Sequence, residues 1–138
     1  MIQDDLIDAY AYEMRIAECS FMMMGKLLDI SYVKQRINIL DIEEFYIYGG
    51  GYLGIQFYQT VHNHNLAKVL AVIDKKGELS VKIPEIPVIN LEKFEDTYRE
   101  QKVIVASVRY FNEIKNYLST FVKPDCILFL GEFLGGII

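Results

Sequence analysis

The stretch Phe45-Tyr46-Ile47-Tyr48-Gly49-Gly50-Gly51-Tyr52-Leu53-Gly54 decides how the rest of the chain is read. Its first four residues are apolar or aromatic, rich in strand formers, and stop at glycines. The residues that follow, Leu53 to Asn63, suit a helix. A strand feeding a helix through a glycine turn is the opening of a βαβ unit.

Downstream segments repeat that alternation. Val69-Leu70-Ala71-Val72-Ile73 is a continuous apolar run of the kind found in strands buried on both faces. A loop with Gly77 and Pro84 leads to a short strand at Pro87-Val88-Ile89. Asn90 is placed to cap a helix over Leu91–Tyr98. Val103-Ile104-Val105-Ala106 reads as another strand, followed by a helix from Tyr110 to Phe121. Pro124 breaks the chain before a last strand, Cys126 to Leu130. The order predicts an α/β fold: an open parallel sheet of about five strands, helices on both faces and right-handed crossovers.

Residues 1–40 read as an N-terminal helical segment before a nucleotide-binding unit over 41–138. Leu6, Tyr10, Met14, Ala17, Phe21, Met24 and Leu28 follow steps of four, four, three, four, three and four, one stripe of a helix. Ile7, Tyr12, Ile16, Met22 and Met23 lie off it, so more than one face is apolar. The simplest expectation is that the stripe packs on the chain's own sheet. The alternative is a homodimer interface. A second helix is expected over Tyr32–Leu40 with Ser31 as its cap.

Bulk properties narrow the classes. The chain has 138 residues, 52% hydrophobic and 24% charged, which fits one globular domain. The net charge of −5 argues against nucleic-acid binding. The two cysteines, Cys19 and Cys126, form no disulfide framework or zinc set, so a reducing cytoplasmic compartment is expected. The start, with Gln3, Asp4, Asp5 and Asp8, lacks the basic region of a signal peptide. No apolar run is long enough for membrane insertion. The abrupt apolar ending, Gly131 to Ile138, would fit truncation.

Gly49-x-Gly51-x-x-Gly54 matches the dinucleotide-binding fingerprint, and its context strengthens it. It follows a strand, opens a helix, and the next strand ends in Asp74, twenty residues after Gly54. In this reading Gly49 allows the turn, Gly51 lets a pyrophosphate approach the backbone, and Gly54 lets the helix pack on the strand. Gly50, Tyr52 and Leu53 complete the loop, and the helix N-terminus offers amides and partial positive charge. Asp74 would accept from both ribose hydroxyls, which favours NAD(H) over NADP(H). Lys75 would soften that preference. The plainer alternative is a tight turn with a solvated carboxylate.

The segments IYGGGYLG, VLAVIDKKGE, IPEIPVINLEKF and VIVASV, in that order, are also similar to a known module. They resemble the Rossmann-like, CoA-binding-like domain of bacterial polysaccharide-biosynthesis nucleotide-sugar dehydratases and epimerases. A related domain precedes the left-handed β-helix of sugar acyltransferases. The likeness spans residues 45–122. It implies binding of NAD(H) or a UDP-sugar at Gly49–Gly54 and Asp74, with Ser107, Val108 and Arg109 lining the same crevice. Ser107 is equally well read as a helix cap, and Arg109 as a solvated side chain or a phosphate clamp.

No catalytic set emerges. Tyr98 and Lys102 have the spacing of a dehydrogenase tyrosine–lysine pair, but Lys102 abuts a strand and the two do not share a helical face. His62 and His64 lack the further ligands a metal needs. Gly50-Gly51 is not followed by Gly-Lys-Ser/Thr, which argues against a kinase-type phosphate loop. The reading is a nucleotide-binding module; catalysis is left open, leaning against activity of this chain alone, and would otherwise be that of part of a nucleotide-sugar dehydratase, epimerase or oxidoreductase. The alternatives are a UDP-sugar module without redox chemistry, or an oligomerisation domain with a vestigial site.

Overall fold

The computed structural model describes residues 2–136, so Ile137 and Ile138 of the apolar ending lie outside the described residues. Two helices lead in: α1, Ile2–Leu27, and α2, Ile30–Leu40. The α/β body follows: β1 Glu44–Tyr48, α3 Tyr52–Asn63, β2 Lys68–Ile73, β3 Val88–Ile89, α4 Leu91–Thr97, β4 Lys102–Val105, α5 Phe111–Leu118, β5 Ile127–Phe129 and α6 Leu130–Phe133. All strand pairs are parallel, in the order β3-β2-β1-β4-β5. This is the expected Rossmann-like sheet, with β1 at its centre.

Alternation along the strands sorts the core into two halves. Phe45, Ile47, Val72, Ile104 and Phe129 face one side, where α1, α2, α3 and α6 cover them. Tyr46, Tyr48, Ala71, Ile73, Val103 and Val105 face the other, under α4 and α5. On that second side Phe94 meets Tyr46 edge-on at 5.0 Å and packs on Tyr98 and Phe121. The N-terminal helices therefore complete the sandwich.

Several boundaries differ from expectation. Helix α2 starts at Ile30 because Asp29 caps it: its carboxylate accepts from the Tyr32 amide at 3.1 Å, so Ser31 lies inside the helix. Asn90 caps α4 as expected, accepting from the Lys93 amide at 2.9 Å. Helix α5 ends at Leu118, and the last strand is shortened by a 3-10 turn at Pro124–Cys126 and by α6. Tyr32 and Arg36 of α2 donate to the carbonyls of Leu134 and Phe133, at 2.6 and 2.7 Å, fastening α2 to the chain beyond β5.

The largest correction concerns α1. Among its described side chains the buried ones are Cys19, Met23 and Leu27, which pack in the first core. The stripe Leu6, Tyr10, Met14, Phe21 and Leu28 is exposed, with Phe21 81% exposed. Counting 3.6 residues per turn, the two faces lie roughly a third of a turn apart. Among the described residues no helix is long and apolar enough to cross a membrane.

Candidate functional site

The chain leaving β1 enters α3 on one face of the sheet, while the chain leaving β4 enters α5 on the other. Between two loops that part in this way an open α/β sheet has its crevice. The glycine loop lies on one side and Ser107–Arg109 on the other. The Ala106 amide joins the two strand ends, donating to the Tyr48 carbonyl at 2.8 Å.

Each glycine answers to a different constraint. Gly49 has φ 131, a conformation that side chains oppose. Its amide donates to the Ile73 carbonyl at 2.8 Å, which docks the turn on the end of β2. A Cβ on Gly54 would run into the Gly49 carbonyl, so the missing side chain sets how closely α3 meets β1. Around Gly51 nothing lies within 4 Å of a Cβ position, and its backbone is unstrained. Gly51 caps α3 without a side-chain bond, so no side chain satisfies the helix's first amides there. Tyr52 is exposed beside this open ground, and Leu53 packs against the core.

Gly50 lies on the closed side of the loop. A Cβ there would stand 3.0 Å from the Glu78 carbonyl oxygen and 3.1 Å from Asp74 Oδ1. Its carbonyl accepts from the Ser80 amide at 2.8 Å, so the segment after β2 straps across it. Asp74 does sit at the end of β2 beside the loop. Its Oδ2 accepts from the Lys76 and Glu78 amides at 3.0 and 3.4 Å, folding the carboxylate into its own turn. Oδ1 is the oxygen directed at the glycine loop. Lys75 is exposed next to it.

Across the crevice, Ser107 Oγ accepts from the Tyr110 amide at 3.3 Å, which closes the turn before α5; the helix's own cap position is Tyr110, without a side-chain bond, so Ser107 is not the cap. Arg109 forks onto Glu13 of α1: Nη1 donates to Oε1 at 2.6 Å and Nη2 donates to Oε2. The guanidinium holds the Glu13 carboxyl below its ordinary value, and both groups are at the surface. Helix α1 thus reaches the loop after β4. No local motif in the sequence signalled this tether or the Ser80 strap, because both join segments far apart in the chain.

The discarded sites stay apart from the crevice. Tyr98 closes α4 and donates to the Gln101 carbonyl at 2.8 Å, while Lys102 opens β4 and donates to the Asp125 carbonyl at 3.1 Å. Burial, with Cys126 beside it, pushes the Tyr98 phenol up, opposite to what a catalytic tyrosinate needs. The His62 ring stacks on Tyr58 at 5.0 Å. Among the described residues no three His, Cys, Asp or Glu side chains gather as metal ligands.

A hollow of about 360 Å³ lies at the opposite end of the sheet, where Asp41, Glu43, Glu44 and Glu100 face Arg99 and Lys102. It is a wide, charged dish at the amino ends of the strands, whereas ligands of such sheets sit at the carboxyl ends. The glycine loop, at the carboxyl ends, therefore takes precedence. No family model, curated protein or solved structure matches the chain.

Proposed function

We propose that the chain is a nucleotide-binding module, with NAD(H) as the favoured ligand and the ligand's diphosphate resting on the first amides of α3. The observation that carries this reading is the contrast within the loop. Gly49 and Gly54 are excluded from bearing a side chain by the backbone, whereas Gly51 is bare over open space. A fold needs the first two glycines for packing alone, but not the third. A backbone laid open at a helix N-terminus is what a diphosphate requires. Asp74 Oδ1 and Arg109 are the groups that would reach a ribose and a phosphate, Arg109 by exchanging Glu13 for the ligand. A bound nicotinamide would supply hydride-transfer chemistry. The residues around the crevice hold and orient a nucleotide, and we assign none of them an acid–base step. Together with the segment likeness, this supports a cytoplasmic role in nucleotide-sugar or polysaccharide metabolism.

A UDP-sugar is the second reading. One Asp74 oxygen is committed to its own turn and Gly50 is strapped, which weakens a two-point grip on an adenosine ribose. A thermal-shift panel with NAD, NADH, NADP, UDP-sugars and CoA separates the two. NAD(H) at a hundred times its Kd adds about 2.7 kcal/mol, a rise of several degrees in Tm. A response to UDP-sugars alone reverses the order. Silence towards every nucleotide at millimolar concentration refutes the proposal.

A further inference from the structure

Helix α1 carries an apolar face that its own domain leaves uncovered. Ile7, Tyr10, Met14, Ala17, Phe21, Met24 and Leu28 recur at alternating intervals of three and four. That is the a/d spacing of a left-handed helix pair, sustained over three heptads. Six of the seven are exposed, and Met24 is half-buried. The other face of α1, through Cys19, Met23 and Leu27, holds the helix on the domain.

We propose that this face is a dimer interface, in which α1 packs antiparallel against α1 of a second copy. The register is centred between Ala17 and Phe21. In it Phe21, the most exposed large apolar side chain among the described residues, lies over Ala17 of the second copy, the smallest residue of the seam. The two-fold axis makes the same fit twice. Met14 meets Met24, and Tyr10 meets Leu28. Beside Leu28 opens a hollow of about 220 Å³, bordered by Ile30, Gln56, Gln59, Asn63 and His64. It offers the Tyr10 ring of the second copy a seat and its hydroxyl polar neighbours. A parallel pair would instead stack Phe21 on Phe21 and set Glu13 beside Glu18 of the neighbour twice. The antiparallel pair opposes only Glu18 to Glu18.

Area and charge favour a second copy over other occupants. The seven side chains of the seam, exposing roughly 100 Å² each on average, offer up to about 1,400 Å² between two copies, which reaches the size of a specific interface. The flanks of α1 carry Asp5, Asp8, Glu13 and Glu18 against Arg15 and Lys26. An anionic lipid surface would repel them, and a lipid-seated helix has lysines and arginines there.

Light scattering on the full chain at tens of micromolar should give twice the 16.0 kDa chain mass. Phe21→Glu and, separately, Ala17→Glu should give monomers with an unchanged circular-dichroism spectrum, because both side chains are exposed in the single chain. Mixed Met14→Cys and Met24→Cys chains should cross-link to each other, and Met14→Cys alone should not. A wild-type monomer at every concentration overturns the proposal. A monomer that floats with phosphatidylglycerol vesicles overturns it in favour of lipid. Self-cross-linking of Met14→Cys overturns the antiparallel register. Mass and cross-linking report the seam and nucleotide titration reports the glycine loop, so either proposal can fail while the other holds.

Discussion

Gly51 and Gly54 are three residues apart and differ in what a methyl group would meet. At Gly54 it collides with the Gly49 carbonyl, which belongs to backbone that cannot yield. Gly54→Ala should therefore cost about 3 kcal/mol or more, read as a lowered urea midpoint. At Gly51 it meets nothing, so Gly51→Ala should cost no more than about 1 kcal/mol, the usual loss at a helix cap. It should nevertheless weaken nucleotide binding, because the methyl stands where the phosphate approaches. Glu13 offers the reverse test. Glu13→Gln releases Arg109 and should tighten nucleotide binding a few-fold by titration calorimetry, on the order of one surface ion pair. Acid should act alike. The Arg109 partner lowers the Glu13 pKa, so the tether is intact above the ordinary carboxylate value of 4.5 and is lost as pH falls through the lowered one. Amide exchange in the amino half of α1 should then quicken. The glycine fingerprint could be read from spacing alone. The folded-back Asp74 and the paired Arg109 could not, since those partners are chosen by tertiary approach.

Among the elements, the strands were legible, and so was α1 as a helix, but not the face it buries. Runs such as Val69–Ile73 and Val103–Val105 are apolar throughout, and such a run has one use in a parallel sheet. Helix α1 is apolar on two faces, and periodicity says where each face lies but not which one meets the sheet. The longer stripe is the exposed one. The shorter, through Cys19, Met23 and Leu27, is chosen because α3 meets it: Thr60 is buried there and its hydroxyl donates to the Leu27 carbonyl at 2.8 Å. Thr60→Val keeps the shape and leaves that carbonyl unpaired. It should cost about 1–3 kcal/mol in urea unfolding. The cap of α2 was missed by two residues for a local reason. Asp29 and Ser31 are both good caps, and Ile30 begins the helix one step before Ser31 could serve.

For the molecule as a whole, phenols on the second face of the sheet set an alkaline limit. Burial pushes the hydroxyls of Tyr48, Tyr98 and Tyr117 up from their ordinary value of 10.0, and Tyr117 also donates to Glu95 at 2.6 Å. In the unfolded chain these groups ionise near pH 10, while in the folded one they stay neutral. Stability from this source is complete below pH 10 and is lost as pH rises beyond it. Urea midpoints compared at pH 9 and pH 11 should show the fall, and Tyr117→Phe should lessen it. The fold class was legible at this scale because the chain order of elements admits few arrangements. The clasp between α2 and the segment after β5 was not, since its partners are 102 and 97 residues apart in the chain. That clasp has a consequence for biosynthesis. Phe129, Leu130, Phe133 and Leu134 fill the first core, and the backbone around them binds Tyr32 and Arg36. A nascent chain still lacking residues 127–134 would hold out α2 and the flank of β4 as bare hydrocarbon. Until β5 and α6 have left the ribosome, that half of the core cannot close.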